Sequence, residues 1–157
     1  MIKLKRSKSN KISECIKQYT QISKCRASVG WNDSFNASKA FLQEMGGISS
    51  NGKGEVPPRP FIFPAVIEKS KEGVSTEFIN NIKSGKLKKA FKEIGTELKQ
   101  LIIKNIDELR EPKLSKKTIR LRKKMGPSHY VAGLGKPLIE TGEMRNSIEV
   151  DVFGGDE

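Results

Sequence analysis

Seven cations, Lys113, Lys116, Lys117, Arg120, Arg122, Lys123 and Lys124, crowd a stretch of twelve residues that holds no acid and no aromatic side chain. On a helix, Lys116, Arg120, Lys123 and Lys124 fall near one face, the spacing that suits phosphate contacts which position a polyanion without reading its bases. With no aromatic among the cations, stacking on unpaired bases lacks its platforms. The chemistry such a block supports is sequence-independent contact with nucleic acid, with Lys116, Lys117, Arg120, Lys123 and Lys124 as candidate phosphate contacts and a basic arm over residues 1–11 as a second one. A solvated helix face has the same composition.

Other reactive residue types lack the company their chemistry needs. Gly47 to Gly54 is one letter from the phosphate-binding G-x-x-x-x-G-K-[ST], but Gly54 stands where a metal-binding hydroxyl is required, and Val56-Pro57-Pro58 follows where a helix must begin. His129 is the single imidazole, with no nucleophile setting of the G-x-S-x-G kind anywhere in the chain. Cys15 and Cys25 with one His do not make a Cys/His zinc set, nor a disulfide framework. Glu140 and Glu143 flank an expected helix start, where the dipole stabilises acids, so with Glu149 and Asp151 they read as capping and surface groups. The expectation is a protein that is not an enzyme, with no catalytic residues, no cofactor and no metal.

The elements that must position these residues are limited by size and charge. The 157 residues carry 30 Lys plus Arg against 18 Asp plus Glu, a formal net charge of +12. The charge is uneven: +7 over residues 1–54, +3 over 55–110, +7 over 111–136 and −5 over 137–157. Such polarity favours head-to-tail contact between copies or steering toward a polyanion. A chain this long can bury a core without disulfides. Its longest apolar run, Phe61 to Ile67, is interrupted by Pro64 and far shorter than a bilayer requires. The basic N-terminus lacks the apolar stretch of an export signal, so the expectation is cytoplasmic synthesis and no membrane.

Residues 1–12 read as an arm, and Ile12, Ile16, Tyr19 and Ile22 as one face of an amphipathic helix. Ala27 to Trp31 reads as a strand, followed by turn chemistry at Asn32-Asp33-Ser34 and a helix capped by Asn36 or Ser38 that stops at Gly46-Gly47. Val56 to Pro60 must be extended, since proline fixes its own φ and restricts its predecessor. A helical period from Ile67 through Val74 and Phe78 to Ile82 ends at Ser84-Gly85. A stronger one runs from Leu87 to Leu109, weakened locally at Gly95 and stopped by Pro112. Ser115 caps a short basic helix anchored by Ile119, residues 126–137 form a Gly/Pro loop, and Thr141 caps a last helical turn before a strand at Ile148, Val150 and Val152.

Three stretches together resemble a known family: Val29-Gly30-Trp31 before a helix and a Gly-rich loop, Pro57-Pro58-Arg59-Pro60-Phe61, and Lys136-Pro137-Leu138-Ile139-Glu140-Thr141-Gly142-Glu143-Met144-Arg145-Asn146-Ser147-Ile148. Their order is similar to that of the small neck and tail-completion proteins of tailed bacteriophages, the virion morphogenesis and minor tail protein Z-like group. Thr118-Ile119 and Lys123-Lys124-Met125-Gly126 fall where that group carries T-I-x-x-R-K-G. The likeness spans residues 27–153; Met45 stands where the group is often aromatic, and the 126–136 loop is longer than usual.

The resemblance implies an α+β fold, a small mostly antiparallel sheet packed against one long amphipathic helix plus shorter helices, with an extended Pro-rich segment. It covers a tail-completion-like domain over 27–153; residues 1–26 have no counterpart in the group and read from their own composition as a basic arm and helix, and 154–157 as an acidic tail. The implied function is structural: a homo-oligomeric ring, hexameric by preference or dodecameric, at the head–tail junction or tail end of a virion. Its partners would be portal-side connector, tail terminator and tube proteins. On this reading Pro57, Pro58, Arg59, Pro60, Phe61, Thr141 and Arg145 are subunit or partner contacts, with Arg59 locking the extended segment against its own or a neighbouring subunit, Thr141 capping the last turn and Arg145 pairing with an acid; for these three, local stabilisation within the chain is an equal alternative.

Overall fold

The structure, a computed structural model, describes residues 7–48, 52 and 54–155. It is an α+β fold dominated by helix. In chain order the elements are α1 (Ser7–Ile22), β1 (Arg26–Gly30), α2 (Ser34–Met45), β2 (Gly47–Ile48), β3 (Glu55–Val56), α3 (Ile62–Glu72), α4 (Thr76–Lys83), α5 (Leu87–Glu108), α6 (Lys116–Met125), a 3₁₀ turn (Pro127–His129), α7 (Glu143–Asn146) and β4 (Glu149–Phe153). Strands form two separate pairs, β1 with β4 and β2 with β3, the latter antiparallel with Gly47 opposite Val56 and Ile48 opposite Glu55. None of the described helices is long and apolar enough to cross a membrane.

Contacts divide the chain into two compact units, one from Met1–Ser28, Val74–Gly95 and Val150–Glu157, the other from Val29–Gly73 and Thr96–Glu149. These interleave, unlike the consecutive segments 1–26, 27–153 and 154–157 read from composition. Charge records what each stretch shows to water, whereas packing joins stretches far apart in sequence. The changeover at Gly95 falls inside α5, the long helix that the Leu87–Leu109 periodicity predicts.

The larger unit holds the main core. Phe61, Ala65, Ile102, Ile106, Leu138, Ile139, Met144, Ile148 and Ala40 are buried together, with Trp31, Leu98 and Leu101 packed around them. The Trp31 indole N–H donates to Met144 O at 2.6 Å, and its ring meets the Phe61 ring edge-on with centroids 6.3 Å apart. Both geometries stabilise a partly buried aromatic beyond its area alone. Asn105 donates its amide to Phe61 O at 3.0 Å, and Lys69 pairs with Glu97 at 2.6 Å, which ties α3 along α5. Near its strand end the Asn32 amide donates to the Glu149 carboxylate.

In the smaller unit, Ser75 accepts from Phe78 N and caps α4, and its hydroxyl donates to Glu93 at 3.4 Å. The same carboxylate takes the buried Asn81 amide at 3.1 Å, and Phe78 packs edge-on against Phe91 at 5.8 Å. Gly154 has φ +74°, and a Cβ there would lie 2.2 Å from Lys24 O. Only glycine fits that approach.

Several sequence-based boundaries differ in instructive ways. Helix α1 begins at Ser7, inside the segment read as an arm, and its apolar stripe faces water: Ile12, Ile16 and Tyr19 are 62, 61 and 75% exposed. Periodicity reports a face but not what covers it. Asp33, rather than Asn36 or Ser38, caps α2 by accepting from Asn36 N, and its carboxyl is held below the usual range by that bond and a second from the Asn36 side chain. The single period from Ile67 to Ile82 is two helices, because Gly73 ends α3 and Ser75 starts α4. Gly142, in the left-handed region at φ +81°, is the N-cap of α7; Thr141 stands one residue earlier and accepts from Glu143 N at 3.3 Å. Residues 49–51 and 53 of the G-x-x-x-x-G-K stretch, the first six residues of the arm and the end of the acidic tail lie outside the described residues.

This packing predicts a sharp contrast in urea unfolding. Phe61→Ala lowers stability by about 3–5 kcal/mol, the cost of emptying a packed aromatic site, while Ile12→Ala and Ile16→Ala each change it by no more than about 0.5 kcal/mol.

Candidate functional site

The Pro-rich segment cannot join a sheet, because its prolines carry no N–H. It is held by side chains instead. Its extended backbone alternates, with Pro57, Pro58 and Pro60 exposed and Arg59 and Phe61 buried at 4% and 0% exposure. The Arg59 backbone N–H donates to Gln43 O at 2.7 Å. Its guanidinium donates from Nη1 to Gln43 Oε1 (3.1 Å), from Nε to Pro112 O (2.9 Å) and from Nη2 to Lys113 O (3.2 Å). Next to Gln43, Glu44 accepts from the backbone N–H groups of Phe61, Ile62 and Phe63 at 2.7, 2.9 and 2.9 Å. Phe61, the N-cap of α3, offers no side-chain cap, so a carboxylate from α2 supplies it and meets the positive end of the helix dipole. Gly46 permits the contact: a Cβ there would meet Val56 O at 2.8 Å and Pro58 N at 2.9 Å.

Opposite this segment stands α6, capped as expected by Ser115, which accepts from Thr118 N. Its buried residue is Arg122, at 6% exposure, rather than the expected anchor Ile119. Nη1 of Arg122 donates to Lys136 O at 2.7 Å and to Ile139 O at 3.3 Å. Between those carbonyls the chain makes a tight three-residue turn, with Leu138 at φ +60° and Ile139 N donating to Pro137 O at 2.6 Å. A positive φ with this bond is the rarer and strained γ-turn, and Arg122 straps both of its flanks. The two buried arginines line one cavity of about 330 Å³, together with Lys39, Pro57, Leu138 and Glu140 among others. Burial pulls both guanidinium pKa values down; nearness of Arg122 lowers that of Arg59 further, while Glu140 opposes the effect at Arg122.

Arg145 pairs within its own chain. Its Nε donates to Asp107 Oδ1 at 2.7 Å and its Nη2 to Oδ2 at 2.6 Å, a two-pronged clasp between α7 and the end of α5. The hydrogen bonds to Arg145 hold the Asp107 carboxyl below its usual range, and the same bonds raise Arg145. Lys136 Nζ and Arg110 donate to Asp107 O, placing cations at the negative end of α5.

Lys116, Lys117, Arg120, Lys123 and Lys124 are all exposed. At about 100° per residue they span an arc of about 120° on α6, and Arg122 projects away from it. The structure thus spends Arg59, Phe61 and Arg145, expected as subunit contacts, inside the chain. It leaves Pro57, Pro58, Pro60 and Thr141 at the surface. Among the described residues no three His, Cys, Asp or Glu side chains come together as a metal site. Glu44 and Asp107 escaped sequence reasoning, and Arg122, counted with the basic block, was not read as buried; its off-face position within a basic helix was the one available signal. No family model, curated protein or solved structure matches the chain.

Two substitutions test these ties. Glu44→Gln removes the carboxylate that caps α3 and lowers unfolding stability by about 1–2 kcal/mol. Asp107→Asn costs about 0.5–1 kcal/mol at pH 7, discounted because the pair is partly exposed. The folded pKa of Asp107 lies below the unfolded value of about 3.9, so the folded state binds fewer protons. The stabilisation is therefore present above that value and lost as pH falls through the folded pKa. Urea midpoints of wild type and Asp107→Asn, measured from pH 7 downward, converge in strong acid.

Proposed function

We propose that the chain is a structural protein of a phage virion, acting at the head–tail junction or tail end as a ring, hexameric by preference, that joins or completes the tail. The observation that carries this reading is convergence. The three stretches that bear the family likeness lie far apart in sequence, yet they meet in one unit: Trp31 donates to Met144 O and packs on Phe61, beside Arg59. The stretches that bear the likeness thus supply neighbouring core residues, as an intact domain of that kind requires. Ring partners are met by exposed Pro57, Pro58 and Pro60, a stiff edge that loses little entropy on docking. The opposite charges of residues 111–136 and 137–157 suit a heterologous contact between copies. On this reading the protein has no catalytic centre, and its partners are connector, terminator and tube proteins.

A second reading rests on α6. Five cations exposed over one arc suit phosphate contacts without base readout, so sequence-independent nucleic-acid binding is the alternative.

Mass spectrometry of purified particles and separated tails, from a host expressing the chain with its neighbouring virion genes, decides between them. Ring assembly places a fixed, low copy number in the particle, and Pro57→Ala with Pro58→Ala abolishes incorporation while the purified variant stays folded. Absence from every particle fraction sinks this reading. DNA retention that falls steeply with salt and disappears in Lys116→Gln, Arg120→Gln, Lys124→Gln then supports the alternative.

A further inference from the structure

We infer that the cavity between the Pro-rich segment and α6 is an oxyanion site, in which the Arg122 guanidinium holds a single carboxylate or phosphate group under the added charge of Arg59. The inference stands whether or not the chain belongs to a virion.

A guanidinium offers two parallel N–H pairs, and Nε with Nη2 is one of them. In this protein Arg145 displays what that edge does, since its Nε and Nη2 grip the two oxygens of Asp107 at 2.7 and 2.6 Å. Arg122 is more deeply buried than Arg145, at 6% exposure, but its hydrogen bonds to Lys136 O and Ile139 O both come from Nη1. Its Nε is buried and makes no hydrogen bond among the described residues. A buried donor without an acceptor is costly, and more so on a charged group.

Charge makes the same point. Arg59 and Arg122 are bonded only to neutral acceptors, and neither has a carboxylate within ion-pair distance among the described residues. Two like charges out of water on one cavity repel each other, and an anion between them offsets both desolvation and repulsion. The lining also includes Lys39, Lys113 and the hydroxyl-bearing Ser115 and Thr118 at the N-terminal end of α6, where the dipole favours negative charge. Glu55 and Glu140 line it too, and Lys113 is ion-paired with Glu111 at 3.5 Å, so three other cations stand against two carboxylates and the surplus is small. That surplus suits one small oxyanion rather than a polyphosphate. The cavity volume of about 330 Å³ equals that of about ten waters, enough for one such group and part of its hydration.

Side-chain ¹H–¹⁵N spectra of the full chain test this with sodium acetate and sodium phosphate, each titrated against sodium chloride at equal ionic strength. The expected result is a saturable shift of the Arg122 Nε–H resonance, with that of Arg145 unmoved because Asp107 already holds it, and a rise in thermal midpoint over the chloride control. Saturation by phosphate alone assigns a phosphate ligand; saturation by acetate, alone or as well, assigns carboxylate recognition of the kind an acidic partner side chain supplies. Lys39→Gln, which leaves the buried hydrogen bonds intact, weakens the response several-fold, and in Arg122→Lys the anion-dependent rise in thermal midpoint is lost. A drift no different from chloride for both anions, or a response unchanged in Lys39→Gln, overturns the proposal.

Discussion

The constraint on which the larger unit depends is that a proline-rich strand has few backbone donors with which to bind anything. Arg59 resolves it. Its guanidinium reaches carbonyls at Pro112 and Lys113 after α5 and the Gln43 side chain in α2, while its own N–H bonds Gln43 O. One side chain therefore ties its own stretch to two others, the farther of them 54 residues away in sequence. Glu44, adjacent to Gln43, does the complementary work by satisfying three N–H groups at the start of α3. The end of α2 thus supplies both an acceptor for the arginine and a cap for the next helix, and Phe61 is delivered to the core between them.

This arrangement has an electrostatic consequence. Carbonyl and amide oxygens satisfy the geometry of a buried guanidinium without neutralising it. Arg122 repeats the pattern on the other side of the cavity, fastening the strained turn at Leu138 through Lys136 O and Ile139 O. The larger unit therefore packs two cations among its buried residues, while the Asp107 carboxylate grips Arg145 near the end of α5. A chain with a net charge of +12 could spread its cations over the surface; placing two inside stores local positive potential at one concave place.

Where interactions are local in sequence, they were legible. The apolar spacing from Leu87 to Leu109 describes α5, Ser115 caps α6 through Thr118 N, and the prolines keep Val56 to Pro60 extended. Residues from 29–31, 57–61 and 136–148 meet around Phe61. Less legible were the partners. Arg59 was recognised as a lock, but Gln43, Pro112 and Lys113 carry no pattern that names them as its acceptors. Glu44 caps a helix 18 residues away, beyond any capping motif read along the chain.

The sequence by itself determined the helical periods, the forced extension at the prolines, the excess of positive charge and the basic arc of α6, because each follows from a residue and its neighbours within a turn or two. Only the tertiary structure decided that the α1 stripe faces water, that Phe61 and Arg59 turn inward while Pro57 and Pro58 turn out, and that Arg122 leaves its basic helix face to join Arg59. Those outcomes depend on what lies opposite each side chain, and a one-dimensional pattern specifies a face without specifying what it meets.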